Sequence, residues 1–364
     1  MTRDTDKTFR WAILGTGPAA RKFVRGVAAT GGQAVTVASR DPANARRFAA
    51  ETGIPHAAES WEEAVAVGAD AVYVATPPSL HESHARLAIA AGRAVLIEKP
   101  LAQDAAGARR IADAAEAAGV FAMEALWTRF LPAVVAARAR LDAGDLGTPL
   151  AFAATFAGAS VPDPAAAAFD PDRGGGALLH RGVYAVSLAR HFLGPVTEIA
   201  ASGRIGATGV DEDAALLLTH ASGAVSLLAA SLVTRAESGA EIRGTTATLG
   251  FEGPIWRPFG LRLDRSAAAK GGGAGGKRFE ALRESALLQR LSDRLAPLRA
   301  RRRTTRIAAP FRGNGYGHEA EAVMAALGAG RIGSEVMPLS ESVEVLEVID
   351  TARARLAWAA EGAS

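Results

Sequence analysis

The 364-residue sequence predicts an α/β protein in two parts: a parallel sheet wrapped by helices at the N-terminus, then an α+β domain. Three observations carry this. From Phe9 to Ala125, short β-like runs alternate with helical runs. A glycine-rich turn joins the first run to the first helix. Past Leu150, β-rich runs follow one another through short Gly- or Ser-containing turns. Strand–helix alternation implies right-handed crossovers and a parallel sheet, whereas strands joined by short turns pair antiparallel.

In order, Phe9–Leu14 reads as a strand and Pro18–Thr30 as a helix. Gln33–Ser39, Ala71–Ala75, Ala94–Ile97 and Val120–Ala125 continue the strands. Pro42–Thr52, Ser79–Ala91 and Asp104–Ala118 supply the helices between them. The second half reads as strands at Leu150–Phe156, Val196–Ile205, Asp213–His220, Ala224–Leu232, Ala240–Arg243 and Thr246–Phe251. A helix at about Gly176–Phe192 precedes most of them, and helices at about Gly315–Ala329 and Leu339–Trp358 end the chain. The expected domains are residues 1–127 and 128–364. Residues 265–312 stand apart as a Gly- and Arg-rich insertion, with KGGGAGG as a flexible spacer.

Composition bounds the function. Hydrophobic residues make up 49% and charged residues 22%, which suits two globular cores. A net charge of +3 is too small to read the whole chain as built for nucleic acid. With no cysteine, disulfides, thiolate metal sites and thiol catalysis are excluded, and no metal is expected. The opening MTRDTDKTFR has no apolar stretch like that of a signal peptide, and no run of about 18 apolar residues follows. The expectation is a cytoplasmic protein that does not span a membrane.

Gly15-Thr16-Gly17-Pro18-Ala19-Ala20 matches the dinucleotide pattern G-x-G-x-x-A in its required place, after a strand and opening a helix. Gly15 permits the tight turn, Gly17 lets backbone approach a pyrophosphate, and Ala20 keeps helix and strand close. The helix N-terminus adds free N–H groups and a positive dipole end. The first domain is therefore read as a Rossmann parallel sheet. Where NAD enzymes place an acid for the ribose 2′-hydroxyl, this chain has Ser39-Arg40, whose donors suit a 2′-phosphate. Asp41 precedes Pro42 and is expected to cap a helix instead. NADP(H) is thus expected in preference to NAD(H). The plain alternative for Arg40 is a surface charge.

Ala75-Thr76-Pro77-Pro78-Ser79-Leu80-His81, Glu98-Lys99-Pro100 and Gly174-Gly175-Gly176, together with the nucleotide turn, resemble the Gfo/Idh/MocA oxidoreductases. Met123–Phe130 (MEALWTRF), Gly313-Asn314-Gly315-Tyr316 and Met337-Pro338-Leu339 are similar to its dihydrodiol and NADP-dependent xylose dehydrogenase branch. The resemblance implies a second domain with an open, mostly antiparallel sheet and an active site between the domains. It implies that Lys99 lies in that cleft, with its peptide to Pro100 often cis. It also implies that Gly15, Thr16, Gly17, Pro18, Ala19, Thr76, Pro77, His81, Glu98 and Lys99 line the cofactor. His81 could equally be an ordinary helix-start histidine, and Lys99 a loop lysine.

Carbonyl reduction needs a hydride, which a nicotinamide supplies, and a proton from a nearby acid. Lys99 and Tyr184 are the candidates, and the resemblance carries the acid role to Tyr184. His180 stands where the branch has aspartate, four residues before Tyr184, with the cation Arg181 next to it. Histidine titrates near neutrality, so an ionisation of His180 is expected in the rate profile. Trp127, Phe156 and Trp256 are candidates for an apolar wall against the substrate; the alternative for each is core packing.

The reading is a hydride-transferring enzyme for an aldose, polyol or dihydrodiol: a small-molecule substrate and a homo-oligomer, dimer or tetramer. One alternative is a non-catalytic or regulatory nucleotide-binding protein on the same fold, which the His180 departure suggests. Another is a polyanion binder using the Arg-rich insertion, which predicts strongly salt-dependent nucleic-acid binding.

Overall fold

The structure, a computed structural model, describes residues 8–265 and 304–361. Six strands form the first sheet: β1 (Phe9–Leu14), β2 (Gly32–Ala38), β3 (His56–Ala57), β4 (Ala71–Val74), β5 (Ala94–Glu98) and β6 (Ala122–Ala125). Their order is β3-β2-β1-β4-β5-β6, and every pairing is parallel. Helices α1 (Pro18–Val27), α2 (Pro42–Thr52), α3 (Trp61–Ala66), α4 (His81–Ala90) and α5 (Ala105–Ala118) make the crossovers. β4 and β5 are buried along their whole length, as near-continuous apolar strands covered on both faces should be. Strand order reverses between β1 and β4, and ligands of open α/β sheets gather at the carboxyl ends of such strands.

Local chemistry sets the ends of these elements. The Asp41 carboxylate accepts from Ala43 N at 2.9 Å, so Asp41 is the cap of α2. Asp104 caps α5 in the same way, and Gly119 ends that helix in the left-handed region.

The second sheet holds eight strands: β7 (Pro149–Ala157), β8 (Val196–Ile205), β9 (Asp211–His220), β10 (Val225–Ser231), β11 (Gly239–Gly244), β12 (Ala247–Glu252), β13 (Gly260–Arg265) and β14 (Thr304–Ala308). The order is β14-β13-β12-β11-β7-β10-β9-β8. Only β7 with β10 is parallel. Along β9, Ala214, Leu216 and Leu218 are buried while Ala215 and Leu217 are exposed, so one face is packed and the other open. Among the described residues four more helices follow: α6 (Pro132–Asp142), α7 (Val183–Leu193), α8 (Tyr316–Gly328) and α9 (Leu339–Glu361).

The insertion expected at about 265–312 narrows. Arg265 ends β13 and Thr304–Ala308 is the edge strand β14 paired to it. The Gly-rich spacer and the run Arg301–Arg303 lie outside the described residues. No described helix is long and apolar enough to cross a membrane.

The C-terminal helices close back on the first sheet. Gly26 on α1 meets Gly317 on α8 so tightly that a Cβ on Gly26 would come 2.9 Å from Gly317 N. Asn314 Nδ2 donates to Lys22 O at 2.7 Å beside this crossing. Arg129, wholly buried, ties α7 to α9. It donates to Ser187 O at 2.7 Å, Ser187 Oγ at 2.9 Å and Glu341 Oε2 at 2.6 Å.

Candidate active site

The nucleotide turn has the form a dinucleotide needs. Gly15 sits at φ +112°, and a Cβ there would come 2.5 Å from Ala75 O, so only glycine fits. Gly17 is extended, and a Cβ on it would meet nothing within 4 Å: this is the open side where a diphosphate can approach backbone. No side chain caps α1, which leaves its first N–H groups free. Thr16 and Ser39 hydroxyls lie 3.5 Å apart, half-buried, at the ends of β1 and β2. Arg40 and Pro18 are exposed beside them, and Ala19 is half-buried. The Asp41 carboxylate is spent on its helix.

Thr76 and Pro77 follow β4 on the same rim. Thr76 Oγ1 lies 3.1 Å from His84 Nδ1. His81 sits beneath the rim: it is 1% exposed, with its ring nitrogens 2.8 Å from Pro100 O and 2.8 Å from Thr76 O. Burial holds its pKa down at about 4. As a neutral ring it donates its single N–H to one of these carbonyls and sits between the Thr76 turn and the loop after β5.

β5 delivers Glu98 and Lys99, and the Lys99–Pro100 peptide is cis. Glu98 accepts from the Tyr73 hydroxyl and from Lys99 N, the latter at 3.2 Å. Lys99 Nζ donates to His180 O at 3.1 Å and sits 5.2 Å from the centre of the Tyr184 ring. The segment opposite starts at Gly176, whose φ of +114° lets Asp211 reach in and accept from Leu178 N at 2.7 Å. A single π-turn, Leu178–Gly182, leads into α7 and turns both the His180 carbonyl and Tyr184 toward Lys99. Such bulges are frequent at functional sites.

Phe156 and Trp256 stack at 4.2 Å, and Phe156 meets Tyr184 edge-on at 5.5 Å. Trp127 sits deeper, stacked on Tyr316 at 4.9 Å, with its indole N–H buried and unpartnered among the described residues. Of the three wall candidates, two line the same surface as Tyr184 and the third backs it.

Charge is distributed unevenly. Burial lowers the Lys99 pKa and the nearby Arg181 lowers it further, against the pull of Glu98 and Glu124. Burial pushes the Tyr184 phenol up, so it keeps its proton. Burial, Lys99 and Arg181 bring His180 down from 6.5 to about 3. Low solvent access and two cations oppose a third charge here, which moves the ionisation expected near neutrality to the acid side. His180 Nε2 is buried with no partner among the described residues. We expect His180→Asn to leave the rate profile between about pH 5 and 9 unchanged. Its mark should fall on stability. A histidine with a depressed folded pKa contributes stability that is full above 6.5 and lost as pH falls toward 3. Thermal melts of wild type and His180→Asn should diverge below pH 6.5 and run parallel above it. An ionisation lost from the activity profile would contradict this.

Sequence reasoning missed Glu319 on α8, which is wholly buried with both carboxylate oxygens unpartnered among the described residues. Burial and the neighbouring Glu98 hold its carboxyl well above the usual range. The familiar Gly313–Tyr316 segment was the signal pointing to this helix.

These residues fit a nicotinamide dinucleotide: a turn open to phosphates, a hydroxyl and guanidinium at the ribose end, and orphaned polar atoms near Lys99. Known proteins agree. A family model described as an oxidoreductase family with an NAD-binding Rossmann fold matches residues 9–126. The GFO/IDH/MocA C-terminal domain matches residues 134–250. Trans-1,2-dihydrobenzene-1,2-diol dehydrogenase of Mus musculus is 34% identical over 255 residues, covering 68% of this chain and 76% of its own. That of Oryctolagus cuniculus is 31% identical over 324 residues, 88% of this chain and 89% of its own. A levoglucosan dehydrogenase in complex with NADH and levoglucosan superposes with TM-score 0.79 at 20% identity, covering 96% of this chain and 98% of its own. KijD10, a 3-ketoreductase from Actinomadura kijaniata solved with NADP and TDP-benzene, gives TM-score 0.77 at 24% identity over 96% of this chain and 98% of its own. The likeness of these two structures is one of fold.

Proposed function

The chain belongs to the Gfo/Idh/MocA oxidoreductase family, and from that premise we propose that it is an NADP(H)-preferring dehydrogenase or reductase of a carbohydrate-like substrate: an aldose, a polyol or a dihydrodiol. That it is an NAD(P)-dependent oxidoreductase follows from the family and its dehydrogenase relatives. The observation that carries the proposal is Lys99 Nζ, held at 3.1 Å by His180 O and facing Tyr184 at the carboxyl end of β5. The dihydrodiol relatives support a hydroxylated ring or chain as substrate.

The bound nicotinamide supplies or takes the hydride. The protein's residues do the rest. Lys99 and Tyr184 converge on one place where a substrate oxygen can sit, and either can hold or give its proton there. Phe156 and Trp256 offer a flat apolar surface to the carbon skeleton. Glu98, braced by Tyr73, fixes the turn from which Lys99 projects.

Ser39 and Arg40 support the preference for NADP(H), since nothing acidic at the end of β2 is free to repel a 2′-phosphate. Titration of tryptophan fluorescence with both cofactors tests it. NADP should bind more tightly than NAD, and Arg40→Ala should weaken NADP by about 10-fold or more while hardly moving NAD, as expected for one lost charge-assisted bond. Tighter binding of NAD by wild type would overturn the preference. The open face of the second sheet, with Leu217 and Leu227 exposed, supports a homo-oligomer, a dimer or a tetramer.

A further inference from the structure

We propose that the substrate is anionic: a hydroxylated molecule whose carboxylate or phosphate is bound by Arg181. This rests on the reading of the cleft given above and deepens it.

The guanidinium of Arg181 is placed with care. Its Nη1 donates to Gly158 O at 2.8 Å and to Ser231 O, which fixes its plane. Its Cζ lies 5.5 Å from the centre of the Phe156 ring, on the wall that includes Trp256 and Tyr184. It lies flat against Gly158: a Cβ there would come 2.9 Å from Nη1 and 3.0 Å from Nη2. The remaining donors, Nε–H and Nη2, make no hydrogen bond to a described residue and are not sealed from solvent. They form the edge of the fork that grips an oxyanion with two parallel bonds.

No described carboxylate answers this charge. Arg181 forms none of the ion pairs among the described residues, although most arginines of the second domain do. The other charge reaching it across the wall is Lys99, also a cation, and His180 between them is neutral. A half-buried guanidinium beside a second cation is unfavourable until an anion arrives. A neutral sugar would leave the Arg181 charge unanswered. A sugar acid or sugar phosphate would place its oxyanion on Nε and Nη2 of Arg181, its skeleton on Phe156 and Trp256, and its reacting oxygen at Lys99 and Tyr184.

Matched ligands test this with the cofactor-saturated enzyme: glucose, glucuronate and glucose 6-phosphate, assayed for turnover and for calorimetric binding. At least one anionic member should exceed glucose by about 10–100-fold in kcat/KM and in affinity, the size of a charged hydrogen-bonded pair. Whether glucuronate or the phosphate leads identifies the anion. Arg181→Gln should remove this preference by raising KM for the anion far more than KM for glucose. Gly158→Ala, which keeps the charge but pushes the fork off its seat, should erode the preference in the same direction and covers the case in which Arg181→Gln folds poorly. Equal binding of glucose and both anions by wild type, or a preference that survives Arg181→Gln, overturns the inference. Turnover of nothing, with anion binding that depends on Arg181, would fault the catalytic reading and leave the anion site standing.

Discussion

Lys99→Ala and Tyr184→Phe should each lower kcat by about 10²–10⁴-fold, the usual contribution of a positioned acid or base, with NADP(H) affinity within a few-fold of wild type. The split follows from the geometry. Lys99 projects from the end of β5, and its ammonium is held by the His180 carbonyl at 3.1 Å. Burial lowers its pKa, which makes its proton easier to give. Tyr184 keeps its proton, because burial pushes the phenol up, and is the second donor proposed for the same oxygen. Two donors acting on one atom behave as a unit, so the double variant should fall little below the worse single one. Circular dichroism and cofactor titration exclude a folding defect. Near wild-type rates in both single variants would remove them from the mechanism.

Arg129→Met should cost about 3–5 kcal/mol of stability, the range for removing one partner of a buried charged network. Arg129 is wholly buried, and its bonds to Ser187 and Glu341 tie α7 to α9 beside the ion pairs of Arg190 with Glu341 and Glu344. Methionine replaces the volume but takes the buried donors from Ser187 and leaves Glu341 with Arg190 alone. At roughly 1–2 °C per kcal/mol for a chain of this length, the melting temperature should drop by about 5 °C. Chemical denaturation reads the same quantity. A loss below about 1 kcal/mol would show that water replaces the guanidinium without strain.

The first sheet was legible because its signals are local. Apolar runs such as Ala71–Val74, capping Asp41 before Pro42, and Gly15 before a helix each declare themselves within a few residues. Short elements escaped: β3 has two residues and α3 six, too few for a period. β13 and β14 escaped because they pair across a long charged segment that masks both. At the site, Lys99, Tyr184, Phe156 and Trp256 were named from the sequence, and the fold brings them together. Three features could not be read. Arg129 and Glu319 look like helix-surface charges, and only contacts over long sequence separation bury them. The lowered pKa of His180 comes first from burial and then from Lys99, which is 81 residues away and becomes its neighbour only in the folded chain.

The central claim is that this cleft moves hydride between a nicotinamide and a hydroxylated substrate. Its most direct test is NADPH carrying deuterium at C4, prepared in both stereochemical forms, incubated with carbonyl compounds from the aldose and sugar-acid series. Mass spectrometry of the products reads the outcome. The account predicts carbon-bound deuterium in the alcohol product from one of the two labelled cofactors, and little or none with Lys99→Ala. Tight NADPH binding with no deuterium transferred to any carbonyl in either form would contradict it, and would favour a nucleotide-binding protein that has lost its chemistry.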